Sequence, residues 1–202
     1  MNYTQSLSNE QIQRYAPTAF AQTPYHAHDG TSAYKLMCGI YRFVCSNGMV
    51  VADSLLESIN IRHTGNVIEE VISGSERILE NGPKVMDTVE DWKRLTLSQP
   101  EQRLLAEHAH SLRFPVDEET GKAHTEVTPA MLLSGRRMDD NRPDLWHTFN
   151  RIQENSLKGV RTRDDRWHRV TSRAVKGIDG DVKLNRALWS LAEKFAELKR
   201  AA

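Results

Sequence analysis

A chain of 202 residues with 27 Lys+Arg and 27 Asp+Glu carries no net charge that would hold it as a whole to a polyanion or a lipid surface. Its length is that of one medium domain able to bury roughly 70% of its unfolded surface without staples. No stretch approaches the ~18 apolar residues of a membrane span, and the polar N-terminus lacks a basic-then-apolar leader, so a cytoplasmic protein without membrane association is expected.

The balance hides an uneven distribution. Residues 57–126 carry 8 basic and 14 acidic side chains, whereas residues 136–202 carry 16 basic and 10 acidic ones. Such a dipolar chain can steer a polyanion onto one surface while repelling it from another. The bland alternative is that the acidic and basic segments pack against each other. Cys38 and Cys45 are the only cysteines. On one unbroken strand their odd spacing would point them to opposite faces, so they read as reduced core thiols rather than a disulfide or metal pair.

In chain order, Ser8 with Gln11 forms a capping box and Leu7 with Ile12 a staple, predicting a short helix to about Tyr15 that ends at Pro17 and Pro24. Residues 32–51 are strand-prone, and Asn47-Gly48 predicts a two-residue hairpin turn between them. Ser58–His63 alternates like a third, half-buried strand. The period then becomes helical, through Val67, Ile68, Val71, Ile72, Ile78 and Leu79. Gly82-Pro83 is expected to break that helix, and Val85, Met86, Val89 and Trp92 predict another.

Ser98 with Glu101 caps the next helix, which bears Leu104, Leu105, His108 and Leu112, and residues 115–127 read as an exposed loop. Thr128-Pro129 opens a short helix, and Pro143 precedes one carrying Leu145, Trp146, Phe149 and Ile152 and stopping near Gly159. Arg166–Ile178 is expected to be a late strand. Leu184–Leu198 is expected to be a helix with Leu184, Leu188, Leu191, Phe195 and Leu198 in one stripe.

Four constellations bear on function. His26, His28 and Asp29, with His63 from a neighbouring strand, offer donors for zinc or manganese, although Asp29-Gly30 is equally a turn in which the carboxylate bonds its own backbone. His108 and His110 point different ways on a helix and form no chelate. Cys45, Asn47 and His63 resemble a thiol–imidazole–amide set, but Cys45 sits among apolar neighbours where thiols are inert. The helix through Trp146, Asn150, Arg151, Gln153, Glu154 and Asn155 either offers amides and arginine to base edges or uses its amides to cap neighbouring loops.

The fourth constellation is the run of Arg151, Lys158, Arg161, Arg163, Arg166, Arg169, Arg173 and Lys176, interleaved with Trp167 and His168 and opposed by Glu154, Asp164 and Asp165. Guanidinium forks pair with phosphates and aromatic faces stack on unpaired bases, so this segment is the candidate nucleic-acid surface, weighed against a solvated basic loop. On an extended strand, Trp167, Arg169, Thr171 and Arg173 would share one face. No catalytic residues, resident metal or cofactor are predicted.

Several segments together resemble a family of plasmid, prophage and phage proteins, domain of unknown function 932. They are His28-Asp29-Gly30-Thr31-Ser32, the stretch from Gly39 to Gly48, Leu145-Trp146 with Arg151–Asn155, and the stretch from Thr171 to Trp189. The resemblance implies a role on mobile elements, in DNA handling or in countering host defence. Longer relatives carry a basic segment ahead of the His-Asp-Gly turn, whereas the link Ala19–Ala27 here is short, so the chain resembles a member shortened near the N-terminus. The order of elements over 33–79 is similar to that of single-strand annealing proteins.

These readings converge on an α+β fold: a small antiparallel β-sheet with a hairpin, packed by several α-helices. Residues 1–27 form an N-terminal helix and linker and residues 28–202 a single domain with its basic third at 136–202. The expected role is non-enzymatic nucleic-acid binding, with single-stranded DNA one candidate form and the nucleic-acid type left open. The alternatives are a module that blocks a host protein through Glu69, Glu70, Glu76 and Glu80, and a metal-dependent nuclease or hydrolase.

Overall fold

The computed structural model describes residues 18–25, 34–42, 45–50, 59–61, 67–121, 123, 125–136 and 138–201. The N-terminal helix predicted around Ser8 lies outside them. The fold is α+β, and the chain divides into two compact units, Met1–Asp87 and Thr88–Ala202.

In the first unit, strands β1 (Thr18–Tyr25), β2 (Tyr34–Arg42), β3 (Cys45–Val50) and β4 (Ile59–Ile61) form one antiparallel sheet. β2 is its centre. β1 runs along one edge in unbroken register from Thr18 opposite Arg42 to Tyr25 opposite Lys35, while β3 and β4 divide the other edge. The predicted strand around Ile59 is present. β1 carries a proline, Pro24, and an edge strand is where a sheet accommodates a residue that has no N–H to give to the ladder.

The hairpin forms, but not about Asn47-Gly48. Arg42 stands opposite Cys45, so Asn47 and Gly48 lie inside β3. The register shifts between Ile40 and Arg42, opposite the stretch that holds these two residues. The dipeptide's turn preference yields to strand pairing, which takes both residues into β3.

Helix α1 (Val67–Arg94) is continuous through Pro83, contrary to the expected break. Proline removes one i−4 hydrogen bond, but Pro83 is exposed, where solvent compensates best, and Val85, Met86, Val89 and Trp92 are buried beyond it. Burying that apolar run outweighs one lost bond.

The second unit is built around aromatic rings on α1, α4 (Leu145–Lys158) and α5 (Ile178–Ala201). Trp92 lies 4.5 Å from Trp189 and 5.5 Å from Phe149 between ring centroids, and Trp146 lies 6.2 Å from Phe149. Each such pair contributes about 0.5–1.5 kcal/mol beyond its area. Helix α2 (Gln99–Arg113) buries Leu105, Ala106 and Ala109 and leaves Leu104 and Leu112 exposed. On α5 the buried stripe is Leu184, Leu188, Trp189, Ala192 and Ala196; Leu198 is exposed, so the face is rotated from the one expected.

The start of α2 is set by Glu101, whose carboxylate accepts the backbone N–H and the hydroxyl of Ser98, both at 2.7 Å. The loop 95–97 joins the start of α4, with Leu97 N–H donating to the Pro143 carbonyl at 2.6 Å and Leu145 N–H to that of Leu95 at 2.9 Å. Asp144 caps α4 by accepting the His147 N–H at 2.9 Å. Short helix α3 (Pro129–Leu132) follows Thr128 as expected.

Candidate nucleic-acid interface

The long strand expected over 166–178 is instead a short hairpin, β5 (Arg161–Arg163) with β6 (Arg169–Thr171), in register Arg161–Thr171, Thr162–Val170 and Arg163–Arg169. Because side chains alternate, Arg161, Arg163, Arg169 and Thr171 share one face and all are exposed, while Val170 on the other face is buried. Val160, ahead of β5, is also buried.

The loop is organised by Asp164. Its Oδ1 accepts the N–H groups of Arg166 at 2.9 Å and His168 at 2.7 Å. Its own N–H donates to the His168 carbonyl, and its carbonyl accepts from the Trp167 N–H at 3.0 Å. This tight loop closes only if one residue enters the left-handed region, and that residue is Trp167, with φ 64°. Its ring is 75% exposed, and the Arg163 guanidinium lies 5.8 Å from the ring centroid. The predicted grouping of Trp167, Arg169, Thr171 and Arg173 on one extended strand is thereby corrected, because Trp167 belongs to the turn and Arg173 follows β6.

The base of the hairpin is tied to the end of α4. Ser172 N–H donates to the Val160 carbonyl at 3.0 Å, Val160 N–H to Ser172 Oγ at 2.9 Å, and Val175 N–H to the Leu157 carbonyl at 2.8 Å. Gly159 reaches this junction with φ 80°, and a Cβ there would stand 2.2 Å from the Ser172 carbonyl oxygen. Arg113, outside the basic run and therefore missed in it, donates from Nε to the Ser156 carbonyl at 2.9 Å and from Nη2 to that of Arg173 at 3.0 Å. Burial lowers its pKa. Arg136 likewise reaches Asn155 Oδ1, at 3.1 Å, and the Gly159 carbonyl. Cations at a helix C-terminus answer its partial negative charge, so both arginines are anchors of the scaffold.

The structure therefore divides the predicted basic set. Arg161, Arg163, Arg166, Trp167, Arg169, Arg173 and Lys176 are exposed on or beside the hairpin. Lys158 is half-buried and pairs with Glu154 at 3.5 Å. Arg151 is half-buried, donating to Gln102 Oε1 at 2.9 Å and Thr148 Oγ1 at 3.2 Å; burial lowers its pKa while Asp140 and Asp144 oppose the shift.

The amides of α4 face inward: Asn150, Gln153 and Asn155 are all buried. Asn155 Nδ2 donates to the carbonyls of Leu132 at 3.0 Å and Ser134 at 2.9 Å, closing the end of α3, and Gln153 Nε2 donates to Asn185 Oδ1 at 2.9 Å. The loop-capping alternative describes Asn155. Among the described residues no group of three His, Cys, Asp or Glu is placed to hold a metal ion, and His26, His28, Asp29 and His63 lie outside them. No described helix is long and apolar enough to cross a membrane.

Comparison with known proteins matches residues 21–189 to the family described as Domain of unknown function (DUF932). The chain belongs to that family. Two relatives from Escherichia coli (strain K12), UPF0380 protein YfjQ and UPF0380 protein YafZ, are each 43% identical over 169 residues, covering 83% of this chain and 59% of theirs. The chain thus spans about three fifths of the length of these two relatives. No solved structure matches it.

Proposed function

We propose that this protein binds nucleic acid through the exposed face of the β5–β6 hairpin, without performing chemistry on it, in the mobile-element setting that the family resemblance implies. The observation that carries the reading is Trp167. A bulky aromatic at φ 64° costs about 1–2 kcal/mol of backbone energy, and a ring left 75% exposed regains little of it by burial. Residues kept at such a cost are concentrated at binding sites. Around it stand Arg161, Arg163, Arg166 and Arg169, whose planar forks suit phosphate.

The test is fluorescence anisotropy of labelled DNA at several salt concentrations with and without EDTA, using the full chain and Arg163→Gln with Arg169→Gln. Salt-sensitive, EDTA-insensitive binding is expected, with the slope against log salt reduced by roughly 1–2 units in the double variant. An unchanged slope removes this face from the reading.

A second reading, docking to a host protein, is favoured by Ile72, which is 54% exposed on α1 between Glu69 and Glu76, both exposed at helical spacing. It predicts that charge reversal at Glu69 and Glu76 abolishes the biological effect and leaves DNA binding intact.

A further inference from the structure

The hairpin carries two features that phosphate attraction alone does not require. The first is how Trp167 is presented. Its N–H is bonded to the Asp164 carbonyl, its carbonyl accepts from Arg163 Nη1 at 3.1 Å, and Asp164 ties down the residues on either side of it. An exposed ring on a loop already held in place loses little conformational freedom when something stacks on it. Stacked, paired bases inside a duplex have both faces covered, whereas an unpaired base offers a free one.

The second feature is the cross-strand pair. Arg163 and Arg169 are direct partners in the ladder, which sets their Cβ atoms about 4.5–5.5 Å apart. Two like charges so placed repel each other until an anion lies between them, and two guanidinium forks can share one phosphate. Arg163 also stands beside the Trp167 ring, so the anion position and the stacking face adjoin.

Building on the proposed nucleic-acid reading, we infer that the hairpin recognises an unpaired nucleotide, with its base stacked on Trp167 and its phosphate held between Arg163 and Arg169. The partner is accordingly a single strand in preference to a duplex.

The probes are a short oligothymidylate and a blunt-ended, fully paired duplex, titrated into the full chain and into Trp167→Asn. Asparagine accepts the left-handed backbone and the replaced ring is exposed, so the variant keeps its fold. The single strand is expected to bind more tightly than the duplex, and Trp167→Asn to weaken it about tenfold or more with little change in salt slope, while duplex binding shifts less than twofold. Trp92, Trp146 and Trp189 are at most 1% exposed, so quenching of tryptophan emission by the oligothymidylate reports Trp167 and disappears in the variant. Equal affinity for both probes, untouched by Trp167→Asn, overturns the stacking inference and leaves the arginine face standing. Binding to neither overturns both.

Discussion

Arg163 stands directly opposite Arg169 across the β5–β6 ladder, both residues on its exposed face. Such a pair weakens an isolated hairpin, so stability and anion binding should respond to it in opposite directions. Arg169→Glu converts the repulsion into an ion pair and is expected to stabilise the hairpin by about 0.2–1 kcal/mol while lowering DNA affinity. Thermal unfolding and anisotropy on the same variant check both signs; a variant that loses stability contradicts the pairing.

Gly159 and Gly177 share a φ of 80° but differ in surroundings, since a Cβ at Gly159 meets the Ser172 carbonyl whereas one at Gly177 meets nothing within 4 Å. Gly177→Ala should therefore cost only the backbone term, about 1–2 kcal/mol. Gly159→Ala adds displacement of the hairpin base and should cost about 2–5 kcal/mol in total. Urea denaturation of the two variants separates the terms, and equal midpoints would mean that the junction is looser than described.

The Glu101 carboxyl is held down to about 2, first by the hydrogen bond from Lys199, at 2.6 Å, and then by those from Ser98. A depressed carboxylate stabilises the fold above its ordinary value of 4.5, and that contribution is lost as pH falls toward about 2. Wild type should exceed Glu101→Gln in melting temperature by a constant margin at neutral pH, with the gap closing through this acid window. A gap independent of pH would place the stabilisation elsewhere.

The elements that were readable in advance are those specified by neighbours in the chain. Ser98 with Glu101, the Thr128-Pro129 start, and the α4 boundary near Gly159 each depend on groups a few residues apart, and the structure contains each of them. Asp164 belongs to the same class: an acidic residue opening a tight turn is a local signal, although within the basic run it reads first as an opposing charge. Where local signals admitted two outcomes they misled. Asn47-Gly48 lies within strand β3 rather than at a turn, and Pro83 is tolerated once its side of the helix faces solvent.

The sequence by itself determined the α+β class, the caps and the clustering of arginines around Trp167, because composition, period and short-range hydrogen bonding are properties of neighbouring residues. Only the tertiary structure decided which of those arginines share a face. Arg169 meets Arg163 because the turn at Asp164 reverses the chain and sets the register, and Arg151 is drawn inward to Gln102 because α2 packs beside α4. The first is decided by burial of Val170 on the hairpin's inner face, and the second by contacts between segments far apart in the chain that bury the aromatic cluster, energies that no run of neighbouring residues displays.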